Sequence, residues 1–512
     1  MSVTTSDRTP IGARIGKLAL GALTAVIIVL LAVLLLVVRP PQTLLDGVGS
    51  GASEVQHRVS QNIIQSYCPA QMKLADSGTY GDSAYQASEG NVASSARQAA
   101  FGSVFDSSVT AIDNADSTTR LQDSDPLDEA SVLMSSASVE KSSLLQTTQL
   151  LKASAGEGSA SSVASWASEG DLRGVAASNC VSPSLNQSFL LPGTKTGSTQ
   201  QLVVANPSSK STSVNIRIWG SKNSGSIALS TGSTITVGAG KESVFDVSAA
   251  ASDQDAAYMT VSSKETPVAS VVRIAEMDGL NPHGIEYAVP VDDASQNLVL
   301  PGSIHDDAVS LSIFAKADTT AQVSWMTEKG LSETHNYPIT AQQVKVVDLG
   351  QAPDDALGVS ITSDEALQAN AVSTVKGDGG QQDFGLIASN TAVKSSAITI
   401  PDHVKAALVL ANTTNKEAEA TLSGYDASGK ALAVQKVTLG GNAAKSLDAS
   451  SFGDGIASIT LDDASQTMVW AARVTQSDVD AAKVAGLGFI MQTPLMPRTA
   501  LIHADQTPGM VR

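Results

Sequence analysis

Apolar and polar residues alternate in many short segments of the second half of this chain. Val214, Ile216 and Ile218 are separated by polar residues, the period of a β-strand that buries one face. Turns rich in glycine separate this segment from further apolar positions at residues 235–237 and 244–247. Similar segments follow near residues 323–325, 344–349, 408–410 and 459–461. The pattern predicts a mainly β protein made of short strands, with little helix beyond the N-terminus.

Two features of this pattern recur about every one hundred residues. The first is an apolar residue followed by proline and then glycine or aspartate, at Leu191-Pro192-Gly193, Leu300-Pro301-Gly302 and Ile400-Pro401-Asp402. The second consists of two β-rich runs around a polar turn, in segments that begin at Val261, Ile361 and Leu461. Turns of that composition predict hairpins of antiparallel strands.

A repeat of this length is a domain-sized unit. It predicts tandem β-sandwich-like repeats at residues 186–293, 294–394 and 395–498, followed by a C-terminal tail at 499–512. The alternative is one larger β structure assembled from the copies.

An uncharged apolar segment at residues 18–38 precedes all of these repeats. Its 21 residues would span about 31 Å as a helix, enough to cross a hydrocarbon core of about 30 Å. A cleaved signal peptide has a shorter apolar core and a cleavage site of small residues, whereas Arg39 and two prolines follow here. The segment therefore predicts a single transmembrane helix.

The charges that flank this segment predict its orientation. Arg8, Arg14 and Lys17 precede it, and Arg39 alone lies just beyond it. Positive flanks stay on the cytoplasmic side, so residues 1–17 form a cytoplasmic stub. We expect a single-pass protein of the cell membrane with the bulk of its chain extracytoplasmic.

The chain contains two cysteines, Cys68 and Cys180, and both follow the predicted span. In an oxidising compartment they can form a disulfide, and two separate buried thiols are the alternative. We expect the disulfide to close a Ser/Ala-rich membrane-proximal region at residues 68–185, after a stalk at 39–67. Apolar positions predict strands in part of this region, at Leu144–Lys152, Ser161–Ala167 and Leu172–Ala176.

The formal net charge of −18 argues against nucleic acid as a partner, because phosphate backbones bind clusters of Lys and Arg. Short strings that match penicillin-binding motifs occur from Ser138 to Lys141, Ser184 to Asn186 and Lys195 to Gly197. They lie within 60 residues, too close together for that fold. We therefore predict no catalytic residues.

Metal and cofactor sites are not predicted either. The six histidines are scattered, and the acidic doublets lack the ordered spacing of a calcium loop. The most concentrated group is His305-Asp306-Asp307, which we interpret as a solvated loop between strands.

Two residue types recur at matching positions of the repeats. Trp219 and Trp325 lie late in the second strand of their repeats, which favours core packing over ligand stacking. Arg273 and Arg473 also occupy equivalent positions, with Ser373 between them in the series. An inward or interdomain salt bridge is the interpretation of these arginines.

Several of these features together resemble an uncharacterised family of membrane-anchored extracytoplasmic proteins from high-GC Gram-positive bacteria, a domain of unknown function. The likeness is clearest over residues 18 to about 300. It rests on the anchor, on Cys68-Pro69, on the stretch Gly170-Asp171-Leu172-Arg173-Gly174 ahead of Cys180, on Leu191-Pro192-Gly193 and on the segment Leu202–Pro207. The family has no established catalytic residues. Its members tend to be encoded near envelope glycosyltransferases, which implies a role in surface polysaccharide assembly.

Together these observations predict a non-enzymatic scaffold or binding protein of the bacterial cell envelope. Its expected partners are the membrane and an envelope protein or polysaccharide. The alternatives are an accessory subunit of an envelope glycosyltransferase or transporter complex, and an enzyme whose site is assembled between repeats.

Overall fold

The strand β12 (Thr212–Gly220) shows how the alternating pattern is used. Val214, Ile216 and Ile218 are fully buried, whereas Asn215 and Arg217 between them are exposed. A computed structural model describes residues 55–75, 86–121, 132–497 and 499–504. In this part of the chain the structure is mainly β with several sheets, as predicted.

Two strands near the ends of the described chain form a sheet of their own. β1 (Val55–Ser60) pairs antiparallel with β34 (Thr499–Ala504). They lie in the segments predicted as stalk and tail, where the sequence pattern did not indicate strands. All remaining described residues, from Gln61 to Pro497, belong to one compact body.

This body contains four units, which we call the first to the fourth unit in chain order. The first unit consists of β2 (Ile63–Cys68), β3 (Ala93–Phe101), β4 (Val104–Ala111), β5 (Asn114–Arg120), β6 (Leu133–Ala137), β7 (Leu144–Leu150), β8 (Gly158–Ala167) and β9 (Gly174–Asn179). The second consists of β10 (Asn186–Pro192), β11 (Ser198–Asn206), β12, β13 (Thr234–Val237), β14 (Lys241–Asp246), the short helix α1 (Val247–Ala250), β15 (Ala256–Ser263), β16 (Ala269–Asp278) and β17 (Asn281–Ala288).

The third and fourth units continue the series. The third consists of β18 (Ser295–Pro301), β19 (Ala308–Ala315), β20 (Thr319–Thr327), β21 (Gly330–Ile339), β22 (Val344–Gln351), β23 (Gly358–Lys376) and β24 (Gln382–Ala388). The fourth consists of β25 (Ser395–Thr399), β26 (Val404–Asn412), β27 (Ala418–Asp426), β28 (Ala431–Leu439), β29 (Ala444–Asp448), β30 (Ile456–Asp462), β31 (Met468–Gln476), the helix α2 (Ser477–Ala481), β32 (Gly488–Met491) and β33 (Thr493–Pro494). Single 3-10 turns occur at Asp378–Gly380 and Ala449–Phe452.

All four units have the same topology. The strand orders β2-β7-β4-β5, β10-β15-β12-β13, β18-β23-β20-β21 and β25-β30-β27-β28 correspond, and they form the first sheet of each unit. The orders β6-β3-β8-β9, β14-β11-β16-β17, β22-β19-β23-β24 and β29-β26-β31-β32 form the second sheet. The two sheets share a buried apolar core, as in the second unit. Each unit is therefore a small antiparallel β-sandwich.

The first unit is the copy that the sequence pattern did not reveal. Leu144 pairs with Cys68, and Ala257 pairs with Leu191, in both cases just before a proline. By this register Thr148 corresponds to Val261, and both side chains are fully buried. The Thr148 hydroxyl lies 2.8 Å from the Ser107 hydroxyl, and Gln146 donates to both. Polar residues that bond to each other thus replace part of the apolar core, and the hydrophobic period is lost on these strands.

The segments that begin at Val261, Ile361 and Leu461 are not hairpins, so this prediction was wrong. β15 and β16 lie in opposite sheets, and so do β30 and β31. In the third unit one long strand, β23, passes between the sheets: its start pairs with β18 and β20, and its later part pairs with β19 and β24. A corner between two buried layers requires the same polar turn as a hairpin, so composition alone did not distinguish them.

The four units form a closed ring. The second sheet of each unit packs on the first sheet of the unit before it, and the first unit packs on the fourth. The residues that share these buried clusters are Val271 with Tyr67, Ile313 with Leu190, Val469 with Val299, and Phe101 with Ala397. The second sheets are covered on both faces as a result; all ten residues of β8 are buried. The last strands of these sheets, β9, β17, β24 and β32, contact one another in turn at the centre.

The predicted transmembrane segment at residues 18–38 lies outside the described residues. Within the described part of the chain, no helix has the length and apolar character needed to cross a membrane.

Candidate functional site

The centre of the ring contains a buried carboxylate that receives hydrogen bonds from other units. Asp383 lies at the start of β24 and is fully buried. Its Oδ2 accepts from the backbone N–H of Val175 at 2.7 Å and of Leu487 at 2.8 Å. Its Oδ1 accepts from the N–H of Ile285 at 3.1 Å. One side chain of the third unit therefore bonds to the first, second and fourth units.

A second buried carboxylate lies beside it. Glu286 on β17 is 1% exposed. Its Oε1 accepts from the backbone N–H of Tyr287 at 2.8 Å and of Ala177 at 3.1 Å, and its Oε2 accepts from Leu386 at 3.2 Å. Edge strands leave backbone N–H groups without ladder partners, and these carboxylates satisfy them.

Two glycines make room for Asp383. A Cβ on Gly174 would lie 2.6 Å from its Oδ1, and a Cβ on Gly284 would lie 2.7 Å from the same atom. Both glycines also have positive φ angles, of +144° and +122°. The first and second units therefore approach this carboxylate through backbone without side chains.

Burial is the largest influence on the two carboxyls and raises the pKa of Asp383 and of Glu286 well above their ordinary values. The charge of Asp383 adds to the rise for Glu286, and the backbone donors oppose the rise in both pKa values. Neither side chain is open to solvent. Because their oxygens accept hydrogen bonds from the backbone of neighbouring units, the pair holds the four units together.

An open cleft lies between the first and second units, and we call it the Arg273 cleft. Its volume is about 260 Å³. Polar lining residues are Tyr67, Lys73, Asp113, Lys141, Ser142, Ser143, Glu242 and Arg273. Three of these side chains are cationic and two are acidic. The balance is positive, although the chain as a whole has a net charge of −18.

One wall of the Arg273 cleft is built by a hydrogen-bonded group that crosses the units. Tyr67 of β2 donates its hydroxyl to Oε1 of Glu242 on β14 at 2.6 Å, and the Ser143 hydroxyl donates to the same oxygen. Burial is the largest cause that raises the pKa of Tyr67 well above 10, and the charge of Glu242 adds to it. Tyr67 is therefore a neutral donor, and Glu242 is held in place on this wall.

The Arg273 cleft also contains an arginine whose equivalent in the fourth unit forms a complete ion pair. Arg473 on β31 donates from Nη1 and Nη2 to Asp307 of the third unit at 2.7 and 2.8 Å. Arg273 on β16 points toward the first unit in the same way, and each arginine pairs in register with an aromatic residue, Phe489 or Tyr287. Arg273, however, bonds only to Gln201 at 3.2 Å, and its buried Nε has no partner among the described residues.

The interpretation of these arginines as salt bridges thus holds for Arg473 and not for Arg273. In the third unit the equivalent Ser373 shares a hydrogen bond of 2.8 Å with Ser303. The equivalent positions 273, 373 and 473 therefore differ in their interactions: Arg473 forms an ion pair, Ser373 a hydrogen bond to a hydroxyl, and Arg273 a single hydrogen bond among the described residues, to an amide.

The predicted disulfide is confirmed. Cys68 and Cys180 are bonded, with their Cα atoms 4.5 Å apart, and both are buried in the first unit. Val181 and Tyr67 exchange two backbone hydrogen bonds of 2.8 Å next to it. The disulfide therefore fixes the strand that carries Tyr67 to the Arg273 cleft.

The loop His305-Asp306-Asp307 differs in part from the prediction of a solvated loop. His305 contacts Asp306 and Asp354 at the surface, at 3.3 and 3.1 Å. Asp307 is only 1% exposed because it forms the ion pair with Arg473. The described residues include no group of three or more His, Cys, Asp or Glu side chains placed to hold a metal.

The strings that match penicillin-binding motifs have separate surroundings. Ser138 accepts from the N–H of Glu140, Ser184 donates to the carbonyl of Asn186, and Lys195 pairs with Asp255 at 2.5 Å. Lys141 lines the Arg273 cleft.

The tryptophans lie in packed surroundings. Trp325 is 5% exposed in the core of the third unit. Trp219 packs against Tyr258 and Phe314, with ring centroids 5.5 and 5.8 Å away, at the contact between the second and third units.

Sequence reasoning did not single out Asp383, Glu286 or Glu242. A usable signal existed for Glu286, since a single acidic residue interrupts the otherwise apolar end of β17. Glu242 lies in a polar segment that resembles any exposed strand start, so only the fold places it opposite Tyr67.

The sequence pattern of a family described as "Family of unknown function (DUF5719)" matches residues 133–450, well over half of the chain. The match begins at β6 of the first unit and ends in the fourth. No curated protein matches the chain. Among solved structures, the dimeric latent PorU from Porphyromonas gingivalis is similar at 9% identity and a TM-score of 0.12. That match covers 63% of this chain and 34% of the other.

Proposed function

We propose, from the premise that this chain belongs to the family of unknown function DUF5719, that it is a membrane-anchored, extracytoplasmic scaffold or binding protein of the bacterial cell envelope without enzymatic activity. The resemblance to an uncharacterised family, drawn from the sequence, is confirmed by this membership.

The observation that carries the proposal is the role of two buried carboxyl groups at the centre of the ring. Asp383 and Glu286 would be the natural candidates for acid–base chemistry, since their pKa values are raised. Both are enclosed, and their oxygens accept backbone N–H groups from neighbouring units. This arrangement supports a rigid ring that presents surfaces for binding.

Location follows from two features that support each other. Residues 18–38 are the proposed anchor for the tandem sandwiches, and positive charges before it favour a cytoplasmic N-terminus. The disulfide between Cys68 and Cys180 is stable in an oxidising compartment, which supports an extracytoplasmic ring.

Crosslinking in the native membrane followed by affinity capture tests the binding role. We expect a reproducible envelope protein or polysaccharide to copurify with the full chain. Repeated recovery of one polytopic glycosyltransferase or transporter would show that the protein is an accessory subunit of that complex and not an independent scaffold. If no partner is enriched relative to a control membrane protein, both the scaffold role and the accessory role would be contradicted.

Topology is tested separately by cysteine labelling in intact cells. Single cysteines introduced at exposed Val434 and Leu280, in the disulfide-bonded chain, should react with a membrane-impermeant maleimide. A cysteine placed at Ser6 should react only after the cells are lysed. Protection of the ring positions in intact cells would overturn the extracytoplasmic assignment.

A further inference from the structure

We propose that the Arg273 cleft binds a small anionic ligand through a phosphate or carboxylate group. The proposal deepens the binding role above and rests on it, but its test requires neither the membrane partner nor the topology. It rests on the different surroundings of Arg273 and Arg473, which occupy equivalent positions in the second and fourth units.

Arg473 shows what this position of the unit does when its partner is present. Its guanidinium binds both oxygens of Asp307 across the contact with the preceding unit, and the pair is almost fully enclosed, with 13% and 1% of the side chains exposed. A bidentate pair of this kind matches carboxylate and phosphate geometry.

Arg273 has the same position and direction but forms no ion pair with a described carboxylate. Among the described residues, its only hydrogen bond is to the neutral Gln201, and its buried Nε has no partner. A guanidinium in such surroundings keeps donors that only an acceptor from outside can satisfy. Arg273 instead borders the open Arg273 cleft.

The remaining lining residues favour an anion of modest size. Lys73 and Lys141 add two positive charges to that of Arg273, against Asp113 and Glu242. Glu242 is already occupied by the hydroxyls of Tyr67 and Ser143. A volume of about 260 Å³ accommodates a group about as large as one sugar ring. Val203 and Val244 form an apolar wall against which such a ring can lie.

The test uses the full chain in detergent and three probes: inorganic phosphate, glucuronate and glucose. Titration calorimetry should show saturable binding of phosphate, of glucuronate or of both, and none of uncharged glucose. Binding of phosphate alone would assign a phosphorylated ligand, and binding of glucuronate alone a uronic acid. Binding should weaken as salt is added, because two lysines contribute through long-range attraction.

The substitution Arg273→Gln should weaken binding of the effective anion by about tenfold or more, since a charged bidentate donor is lost. Arg273→Lys keeps the charge without the planar fork and should give an intermediate affinity. Arg473→Gln is the matched control: it should lower the melting temperature through loss of the Asp307 pair and leave anion affinity unchanged.

Equal affinities of the wild-type chain and Arg273→Gln would overturn the proposal, as would the absence of binding to either anion at ~10 mM. An unfolded Arg273→Gln protein would be recognised by its melting curve. In that case the anion affinity of Arg273→Lys tests the proposal, and an affinity equal to that of the wild-type chain would overturn it. Anion binding by a chain that captures no envelope partner would retain the Arg273 cleft and reject the scaffold role.

Discussion

Asp383 accepts a hydrogen bond of 2.7 Å from the backbone N–H of Val175, although 208 residues separate the two in the chain. The bond joins the third unit to the first across the centre of the ring. Val175 lies on β9, an edge strand whose outer N–H groups have no strand partner there. A single carboxylate thus replaces part of a missing strand, and it does so for neighbouring units as well.

Replacement of Asp383 by Asn tests this role. The amide places an N–H₂ group where one oxygen now accepts from Val175 and Leu487, or from Ile285. Opposed donors in a buried site should lower the free energy of unfolding by about 2–4 kcal/mol. Urea unfolding of the full chain, followed by tryptophan fluorescence, measures this. The exposed Asp454→Asn is the control, and an equal effect of both substitutions would contradict the role.

Gly174 should be intolerant of a side chain for a reason that differs from backbone strain alone. Gly174→Ala brings a Cβ to 2.6 Å from Oδ1 of Asp383, so the carboxylate must move. Gly350 also has a positive φ, of +70°, but a Cβ there meets no atom within 4 Å. We expect about 1 kcal/mol of destabilisation for Gly350→Ala. Gly174→Ala should cost about 3 kcal/mol or more, as measured by calorimetry. Equal costs would show that the central packing is loose.

Glu276 should make the stability of the ring depend on pH near neutrality. Burial on β16 raises the pKa of its carboxyl to about 7. The unfolded chain loses this proton near pH 4.3, so the folded state holds more protons between about pH 4.3 and about pH 7. Stability from this group is therefore complete below that window and falls as the pH rises through it.

The variant Glu276→Gln removes this titration. At pH 8 it should raise the free energy of unfolding by about 1–2 kcal/mol, and at pH 4 it should change little. Thermal unfolding across this range checks the slope. Glu417→Gln, at an exposed site, should leave the pH dependence unaltered. A Glu276→Gln protein with the wild-type slope would show that this carboxyl is ionised in the folded state.

The disulfide should contribute strongly to the first unit. It closes a loop of 112 residues, for which the loop-entropy description gives about 4–5 kcal/mol. Part of the core of this unit is polar, around Gln146 and Thr148. We expect a reductant to lower the melting temperature of the wild-type chain and not that of the double variant Cys68→Ser, Cys180→Ser. Peptide mapping without reductant should recover the two cysteines in one linked pair.

The ion pair between Arg473 and Asp307 should show strong coupling. Arg473→Met leaves a buried carboxylate at Asp307 without its partner, which should cost about 3–5 kcal/mol. Asp307→Asn should also destabilise the chain, whereas the double variant should lose less than the sum of the single losses. A double-mutant cycle by urea unfolding measures the coupling. Additive losses would mean that the two side chains do not interact in solution.

The alternation of apolar and polar residues was sufficient to predict strands wherever the core is apolar, as at Val214 to Ile218. Recurring prolines after apolar residues located three copies, and the position of the cysteines predicted their pairing. These features are local or depend on few residues, so they can be recognised in a single sequence.

The tertiary structure alone decided the number of copies, the ring and the chemistry of its contacts. Thr148 fills a core position that Val261 fills elsewhere, because its hydroxyl is satisfied by Ser107 on the neighbouring strand of the same sheet. Asp383 and Val175 meet only after four units close on one another. Arg273 and Arg473 are equivalent in sequence, yet one has a partner in the preceding unit and the other faces a cleft. The partners of a buried polar group come from distant parts of the chain, and no local pattern records them.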